Sequence, residues 1–495
     1  MPLPNRRRLR ALARAALLFV ALGACNAGAV ERALLQPCRV TGIRNQVLCG
    51  SVQRALDPSL PSGTRIDVHY VVVPAMARRK RPDPVFLLAG GPGQSAINVA
   101  PSTLPLFARL NNRRDIVFVD QRGTGRSASL DCDEPRHRPL AEQGDATRQA
   151  GELHACRDRL KALPHGDLRM YTTTLAMQDL DAVRAQLEVE RINLVGVSYG
   201  TRAALEYLRQ FPQAVRRVVL DGVAPPDMVL QASFSTDNQS ALETMFEACE
   251  RDAACAKAHP ALRSSWATLL KGLPKPVTLA HPLTGQLENV VLTREVVIGA
   301  VRGPLYSPAI AAALPHAIEE AARGRFEALV GLNSMQVARK GLTPSLGMHF
   351  SVVCAEDYPR RSHSVDVPGG DFGTDFAKLY ERVCADWPRG DVPQAFYGVP
   401  ASAAAALVLS GGIDPVTPPR HGERVTKALG ANAVHVVVAN AGHGVLMVGC
   451  TRDVMFRFLD AASDKEALAV DARCVQGIPR PTVFHPPVLP DAASK

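Results

Sequence analysis

The stretch 192-INLVGVSYGTRAALEYL-208 decides how the rest of the chain is read. An apolar, β-branched run ends abruptly at Ser198, and Ala203, Ala204, Tyr207 and Leu208 then recur at helical spacing. A buried strand that turns at once into an amphipathic helix is the repeating unit of a mostly parallel α/β sheet. The serine at the turn sits in Gly196-Val197-Ser198-Tyr199-Gly200, the pattern G-x-S-x-G. Such a turn forces the serine into a strained backbone region, and the glycines on either side let the helix pack close to the strand. The hydroxyl is then held above the sheet at a helix N-terminus, where N–H groups and the helix dipole favour a developing negative charge.

Outward from this unit, further apolar runs form a series: RIDVHYVVV (65–73), PVFLLAG (84–90), DIVFVDQRG (115–123), RVVLDG (217–222), ALVLSGGID (406–414) and AVHVVVANAGH (433–443). Helical patterns such as LAMQDLDAVRAQLEV lie between several of them, so the fold class is α/β, with helices on both faces of the sheet. The run at 65–73 alternates instead, which predicts an antiparallel edge strand. The series is interrupted between about Asp227 and Pro400 by segments that read as helical. Residues 30–226 and 401–477 are therefore expected to form the core, with 227–400 as a helical cap over the carboxyl ends of the strands, where open α/β sheets bind ligands. Residues 478–495 form a proline-rich tail.

A serine alone is a poor nucleophile and needs a base and an orienting acid. In an architecture of this kind the acid ends a late strand and the histidine follows the next one. Asp414 and His443 stand at those two places. Asp221, which ends the preceding strand, is the alternative acid, expected instead to brace the turn into the cap. His421 lies too near the acid loop to be preferred as base. The backbone N–H of Tyr199 needs a second donor to hold an oxyanion, and Gly91, in the turn Ala89-Gly90-Gly91-Pro92-Gly93, is the candidate. No P-loop, G-x-G-x-x-G, C-x-x-C pair or H-E-x-x-H occurs, so neither a nucleotide, a metal nor any other cofactor is expected.

The first 29 residues carry Arg6, Arg7, Arg8, Arg10 and Arg14, no acidic residue, and an apolar run from Ala15 to Ala24, the layout of an export signal. Ala27-Gly28-Ala29 reads as a cleavage site, and Leu22-Gly23-Ala24-Cys25 equally as a lipoprotein site that would lipidate Cys25. A periplasmic or secreted location follows from either, and the lipid on Cys25 is the one membrane contact foreseen. The formal net charge is +10, of which the leader arginines supply five units. No basic stripe with interleaved aromatics remains, which argues against a nucleic-acid partner. Of eleven cysteines, ten follow Cys25, an even number that suits an oxidising compartment. The simplest connectivity joins neighbours: Cys38 with Cys49, Cys132 with Cys156, Cys249 with Cys255, Cys354 with Cys384, and Cys450 with Cys474.

Taken together, Gly90-Gly91-Pro92-Gly93, Asp120-Gln121-Arg122-Gly123-Thr124-Gly125-Arg126-Ser127, the G-x-S-x-G at 196–200 and the late Asp414 and His443 resemble the proline iminopeptidase and tripeptidyl aminopeptidase family of serine α/β-hydrolases. The resemblance covers roughly residues 60–460. It implies an α/β-hydrolase fold, a Ser198–His443–Asp414 triad, and removal of residues from the free N-termini of a peptide substrate without a cofactor. Ala89 stands where many proline iminopeptidases have histidine, which weakens a proline-releasing assignment. Asp120 and Arg122 read as scaffold. A cationic α-amine calls for a carboxylate near the nucleophile, and Glu356 and Asp357, late in the cap, are the candidates. Their competing reading is an acidic pair that starts a surface turn. An esterase or amidase acting on substrates without a free amine is the alternative function, and a non-catalytic binding protein on the same scaffold is the third reading. The oligomeric state does not follow from the sequence.

Overall fold

The computed structural model describes residues 35–132, 138–142, 144–337, 343–367 and 369–484. The leader, Cys25 and the tail beyond residue 484 lie outside the described residues. Nine strands form one sheet: β1 Gln36–Cys38, β2 Val47–Ala55, β3 Arg65–Val73, β4 Val85–Leu88, β5 Ile116–Val119, β6 Ile192–Val197, β7 Val215–Asp221, β10 Ala405–Gly411 and β11 Ala433–Val438. A separate hairpin pairs β8 Lys275–Ala280 with β9 Leu287–Leu292.

The order in the main sheet is β1-β2-β3-β5-β4-β6-β7-β10-β11. Contacts from β5 onward are parallel, and those among β1, β2, β3 and β5 are antiparallel. The antiparallel direction of β3 follows its alternating sequence, but β3 is not an edge: β2 pairs along its length and β1 lies outside that. β2 (VLCGSVQRA) is only partly buried and carries polar residues, so it lacks the apolar signature of the inner strands. Its Gly50 is needed because the Tyr70 ring of β3 occupies the space a Cβ would take.

Inner strands are buried on both faces because alternate side chains enter different cores. Leu194 and Val218 join one cluster with Phe86 and Tyr207, whereas Val195 and Val219 join another with Leu407 and Phe458. All eight are fully buried, and each aliphatic side chain so buried contributes about 1.5–3 kcal/mol before entropy is counted. The parallel run fixes what matters for function. It brings the segments after β4, β6, β7, β10 and β11 to one edge of the sheet.

Between β7 and β10 lie the helices Leu230–Arg251, Arg294–Leu305, Leu346–Glu356 and Asp375–Cys384, among others, and the hairpin β8–β9. This region has its own apolar core around Leu242, Phe246, Trp266, Val301 and Ile318. The hairpin departs from the all-helical expectation. One face of it is exposed, and the resulting in-and-out burial is the period of a strand rather than a helix. All five neighbour-to-neighbour disulfides are formed: Cys38–Cys49, Cys132–Cys156, Cys249–Cys255, Cys354–Cys384 and Cys450–Cys474.

Candidate active site

Ser198 has φ 56° and ψ −125°, a left-handed conformation that costs a non-glycine residue about 1–3 kcal/mol. The surroundings hold it there. Its N–H donates to the Asp221 carbonyl at 2.9 Å, and its carbonyl accepts from the N–H and hydroxyl of Thr201 at 2.9 and 2.6 Å. The two glycines have steric work. A Cβ at Gly196 would collide with the Gly200 carbonyl, and one at Gly200 with the carbonyl of Leu88 in β4. The helix Tyr199–Gln210 can press against the sheet only with glycine at both positions.

Asp414 and His443 meet across the loops after β10 and β11, with Nδ1 of the imidazole 2.8 Å from Oδ2 of the carboxylate. The other oxygen, Oδ1, accepts from the N–H groups of Val416 and Thr417 at 2.8 and 2.9 Å, and the Thr417 hydroxyl donates to Oδ2 at 2.8 Å. Burial works to lift the Asp414 pKa, but the charge and hydrogen bond of His443 and these amides outweigh it and hold the carboxyl below its usual range. Burial alone would lower the His443 pKa. The charge and hydrogen bond of Asp414, with Asp221 behind it, reverse that and keep it above the ordinary histidine value. A Cβ at Gly222 would stand 3.4 Å from Cε1 of His443, so the imidazole packs on the residue after Asp221, whose carbonyl receives the Ser198 N–H. Serine, histidine and aspartate are thus gathered at one sheet edge.

Asp221 does not take the place of Asp414. Its carboxylate accepts from the N–H groups of Val445 and Leu446 at 2.8 and 3.0 Å and so braces the histidine loop, not the turn into the cap. Burial pushes its pKa up to about 6. His421 is engaged elsewhere, 2.9 Å from Asp237.

The glycine-rich turn lies beside the serine. A Cβ at Gly90 would stand 3.2 Å from the Ser198 Cβ, and Gly91 has φ +110°, a conformation natural to glycine. The cap touches this turn through the helix Leu346–Glu356. Ser345 N–H donates to the Gly93 carbonyl at 2.9 Å, and His349 Nδ1 lies 3.2 Å from the Pro92 carbonyl. A carbonyl only accepts, so Nδ1 is the protonated nitrogen, and Nε2 accepts from the Tyr380 hydroxyl at 2.7 Å. Burial pushes the His349 pKa down to about 4, which keeps this bridge neutral.

Glu356 and Asp357 require a correction. They are 1% and 2% exposed and are held by protein donors rather than facing open space. Glu356 accepts from the Thr173 N–H and hydroxyl at 2.7 and 3.0 Å, with the Thr173 hydroxyl also 2.7 Å from that of Tyr199. Asp357 binds Arg202 at 2.6 Å and the Leu230 N–H at 3.0 Å. Arg202, on the helix after Ser198, is the cation paired with Asp357, and it stands 3.7 Å from Glu356. Burial nevertheless pushes the Glu356 pKa up to about 7, against the opposing pull of Arg202 and Thr173. Asp120 and Arg122 are scaffold: Asp120 accepts from Ser95 and Ile97, and Arg122 forks onto Asp179 at 2.6 and 2.9 Å. Among the described residues no group of three or more His, Cys, Asp or Glu could hold a metal ion.

The family described as the alpha/beta hydrolase fold matches residues 83–298, which include Ser198, and the family described as TAP-like protein matches residues 369–474, which include Asp414 and His443. The chain belongs to the α/β-hydrolases. Its curated relatives include serine enzymes named as peptidases and aminopeptidases, the kind of protein that the motifs resemble. Serine protease Hip1 of Mycobacterium tuberculosis is 25% identical over 431 residues, covering 78% of this chain and 80% of that protein. Tripeptidyl aminopeptidase of Streptomyces coelicolor is 31% identical over 197 residues, 36% of each chain. A probable proline iminopeptidase of the same organism is 32% identical over 141 residues, covering 28% of this chain and 33% of that one.

Thr417 and Tyr306 were not read from the sequence. Thr417 had a signal, an Asp followed three residues later by Thr, which is a local side-chain capping pattern. Tyr306, whose carbonyl accepts the His443 N–H at 3.1 Å and whose ring stands edge-on to the imidazole with centroids 5.4 Å apart, had none.

Proposed function

We propose that this α/β-hydrolase is an exported serine aminopeptidase that cleaves short peptides through an acyl-enzyme. Ser198 attacks the scissile carbonyl while His443 takes its proton; the oxyanion is received by the backbone N–H groups of Tyr199 and Gly91; His443 protonates the leaving amine, and water then releases the acyl group. Asp414 holds the imidazole tautomer and stabilises its cationic form. The observation that carries this reading is the 2.8 Å His443–Asp414 bond on the sheet edge where Ser198 stands at positive φ. The peptidase names of the relatives supply the substrate class. Export rests on the arginine-rich leader and on five disulfides of a kind that persist in oxidising compartments.

One observation favours a second reading, an esterase or amidase indifferent to a free amine: Glu356 and Asp357 are already engaged by Thr173, Leu230 and Arg202. Turnover on aminoacyl and short peptidyl amides, each with a free and an acetylated N-terminus, separates the two. The aminopeptidase reading expects cleavage only where the amine is free. Equal cleavage of both forms overturns it and leaves the esterase or amidase.

A further inference from the structure

The cap contains a cavity of about 420 Å³ whose lining includes Phe234, Arg294, Glu295, Arg302, Asp375 and Phe376. That volume is ordinary for a small-molecule site. Its charges are unequally matched. Arg294 pairs with Asp371 at 3.2 Å, and Asp375 pairs with Lys378 at 2.8 Å and is hydrogen-bonded to Glu295. Arg302 has no carboxylate within 4.0 Å among the described residues, and its Nε is buried without a hydrogen-bond partner.

Aromatic faces hold this cation in place of a counter-ion. The rings of Phe234 and Phe376 stack with centroids 4.0 Å apart at 15°, and the Arg302 guanidinium carbon lies 4.8 and 5.6 Å from them. A guanidinium steadied on its face keeps its edge of N–H donors available, and that fork matches a carboxylate.

The cavity stands one layer of residues away from the reaction centre. Arg302 is four residues, one helical turn or about 6 Å, before Tyr306, which contacts His443 through both carbonyl and ring. On the other side, Phe376 packs on Tyr380 with centroids 4.8 Å apart, and Tyr380 bonds His349, which bonds the Gly90–Gly93 turn. Glu295 lies seven residues before Arg302 on the same helix face, about 10 Å away among the paired charges of Arg294, Asp371, Asp375 and Lys378, so the unpaired cation stands at the end of the helix toward the triad.

We propose that Arg302 is a specificity-determining residue that binds a carboxylate of the substrate, so that acidic substrates are preferred. The inference rests on the serine-hydrolase reading of Ser198 but not on recognition of a free amine. The carboxylate has two sources, an acidic side chain in the acyl portion or the C-terminus of a very short peptide.

The test compares kcat/KM for a glutaryl and a pentanoyl chromogenic ester, and for peptides with Glu or Gln in the acyl portion, each with a free or amidated C-terminus. The proteins are the wild type, Arg302→Gln and Arg302→Lys. A charge-assisted bond of this kind gives the wild type a roughly 10- to 100-fold preference for the charged member of a pair. Arg302→Gln is expected to erase that ratio and Arg302→Lys to keep part of it. A preference that follows Glu over Gln assigns the carboxylate to the side chain, and one that follows the free over the amidated end assigns it to the C-terminus. No preference in the wild type, or an equal loss on both members in Arg302→Gln, overturns the proposal and makes Arg302 a packing residue. Labelling of Ser198 by a fluorophosphonate reports the hydrolase reading separately. Glutarate is expected to slow that labelling in the wild type and not in Arg302→Gln, while glutaramide affects neither.

Discussion

Asp414–His443 and Asp237–His421 are the same couple by composition and nearly so by distance, 2.8 and 2.9 Å, yet their surroundings differ. The His443 side chain is 15% exposed and packs beside the serine turn; that of His421 is 2% exposed, and its Nδ1 is buried without a hydrogen-bond partner among the described residues. Asp414 is otherwise bound by its own loop, at Val416 and Thr417. Asp237, on the cap helix Leu230–Arg251, is also bound by Arg420, so His421 and Arg420 fasten the cap to the core helix Pro419–Leu429. The hydrogen bond alone therefore does not mark a catalytic histidine. The distinguishing feature is a partly exposed imidazole packed beside the turn that holds Ser198 at positive φ.

The largest expected effect tests that distinction directly. Ser198→Ala and His443→Ala should each lower kcat/KM by at least about 10⁴-fold with little change in Tm. His421→Ala should do the reverse, costing about 3 kcal/mol of stability because Asp237 stays buried with one partner fewer, while kcat per folded molecule is retained. Tm and active-site titration on the same preparations check both halves. Lost turnover in His421→Ala at wild-type Tm would break the comparison.

A smaller effect concerns protonation. In the proposed mechanism His443 must be neutral to act as base, so activity is expected above its pKa and is lost as pH falls through it. Because Asp414 raises that pKa, the acidic limb of kcat/KM should lie above the ordinary histidine value of 6.5. Asp414→Asn should lower kcat about 10³- to 10⁴-fold and move the remaining limb to lower pH. Asp237→Asn should leave the limb in place, since His443 does not feel that charge. A pH profile from about 5 to 9 on the three proteins reads the contrast.

The core and the cap also differ in how far the sequence revealed them. Inner strands were legible because a parallel strand buried on both faces must be continuously apolar, and Asp414 and His443 because chain order and strand ends locate them together. β2 was not, since its half-buried residues and Gly50 make sense only beside the Tyr70 ring. Glu356 and Asp357 were misread for the same reason at longer range: Arg202, which neutralises Asp357, lies 155 residues away in the chain. A short motif encodes backbone shape and chain order, whereas the state of a buried charge is decided by whatever the fold packs against it. Arg302 shows the converse, a cation among many in the sequence whose missing partner only the packed cap reveals.

The smallest effect separates burial from partnership at Glu356. Its pKa in the fold is about 7, above the ordinary value of 4.5, so the folded state holds this proton more tightly than the unfolded chain. Between those two values the unfolded state releases it first, and the group's contribution to stability falls as pH rises through that window and is constant outside it. Glu356→Gln keeps an acceptor for the Thr173 N–H and carries no charge at any pH. The stability of the wild type relative to Glu356→Gln should therefore decline by about 1–3 kcal/mol from pH 4.5 to 7, as read by denaturant unfolding across that range. Parallel curves would mean that Arg202, 3.7 Å from the carboxylate, keeps Glu356 ionised throughout and that partnership outweighs burial. The same couple-versus-burial balance then reads differently in two places: the charge and hydrogen bond of its histidine hold Asp414 below the usual carboxylate range, whereas Glu356, whose closest donors are the uncharged groups of Thr173, is left to desolvation.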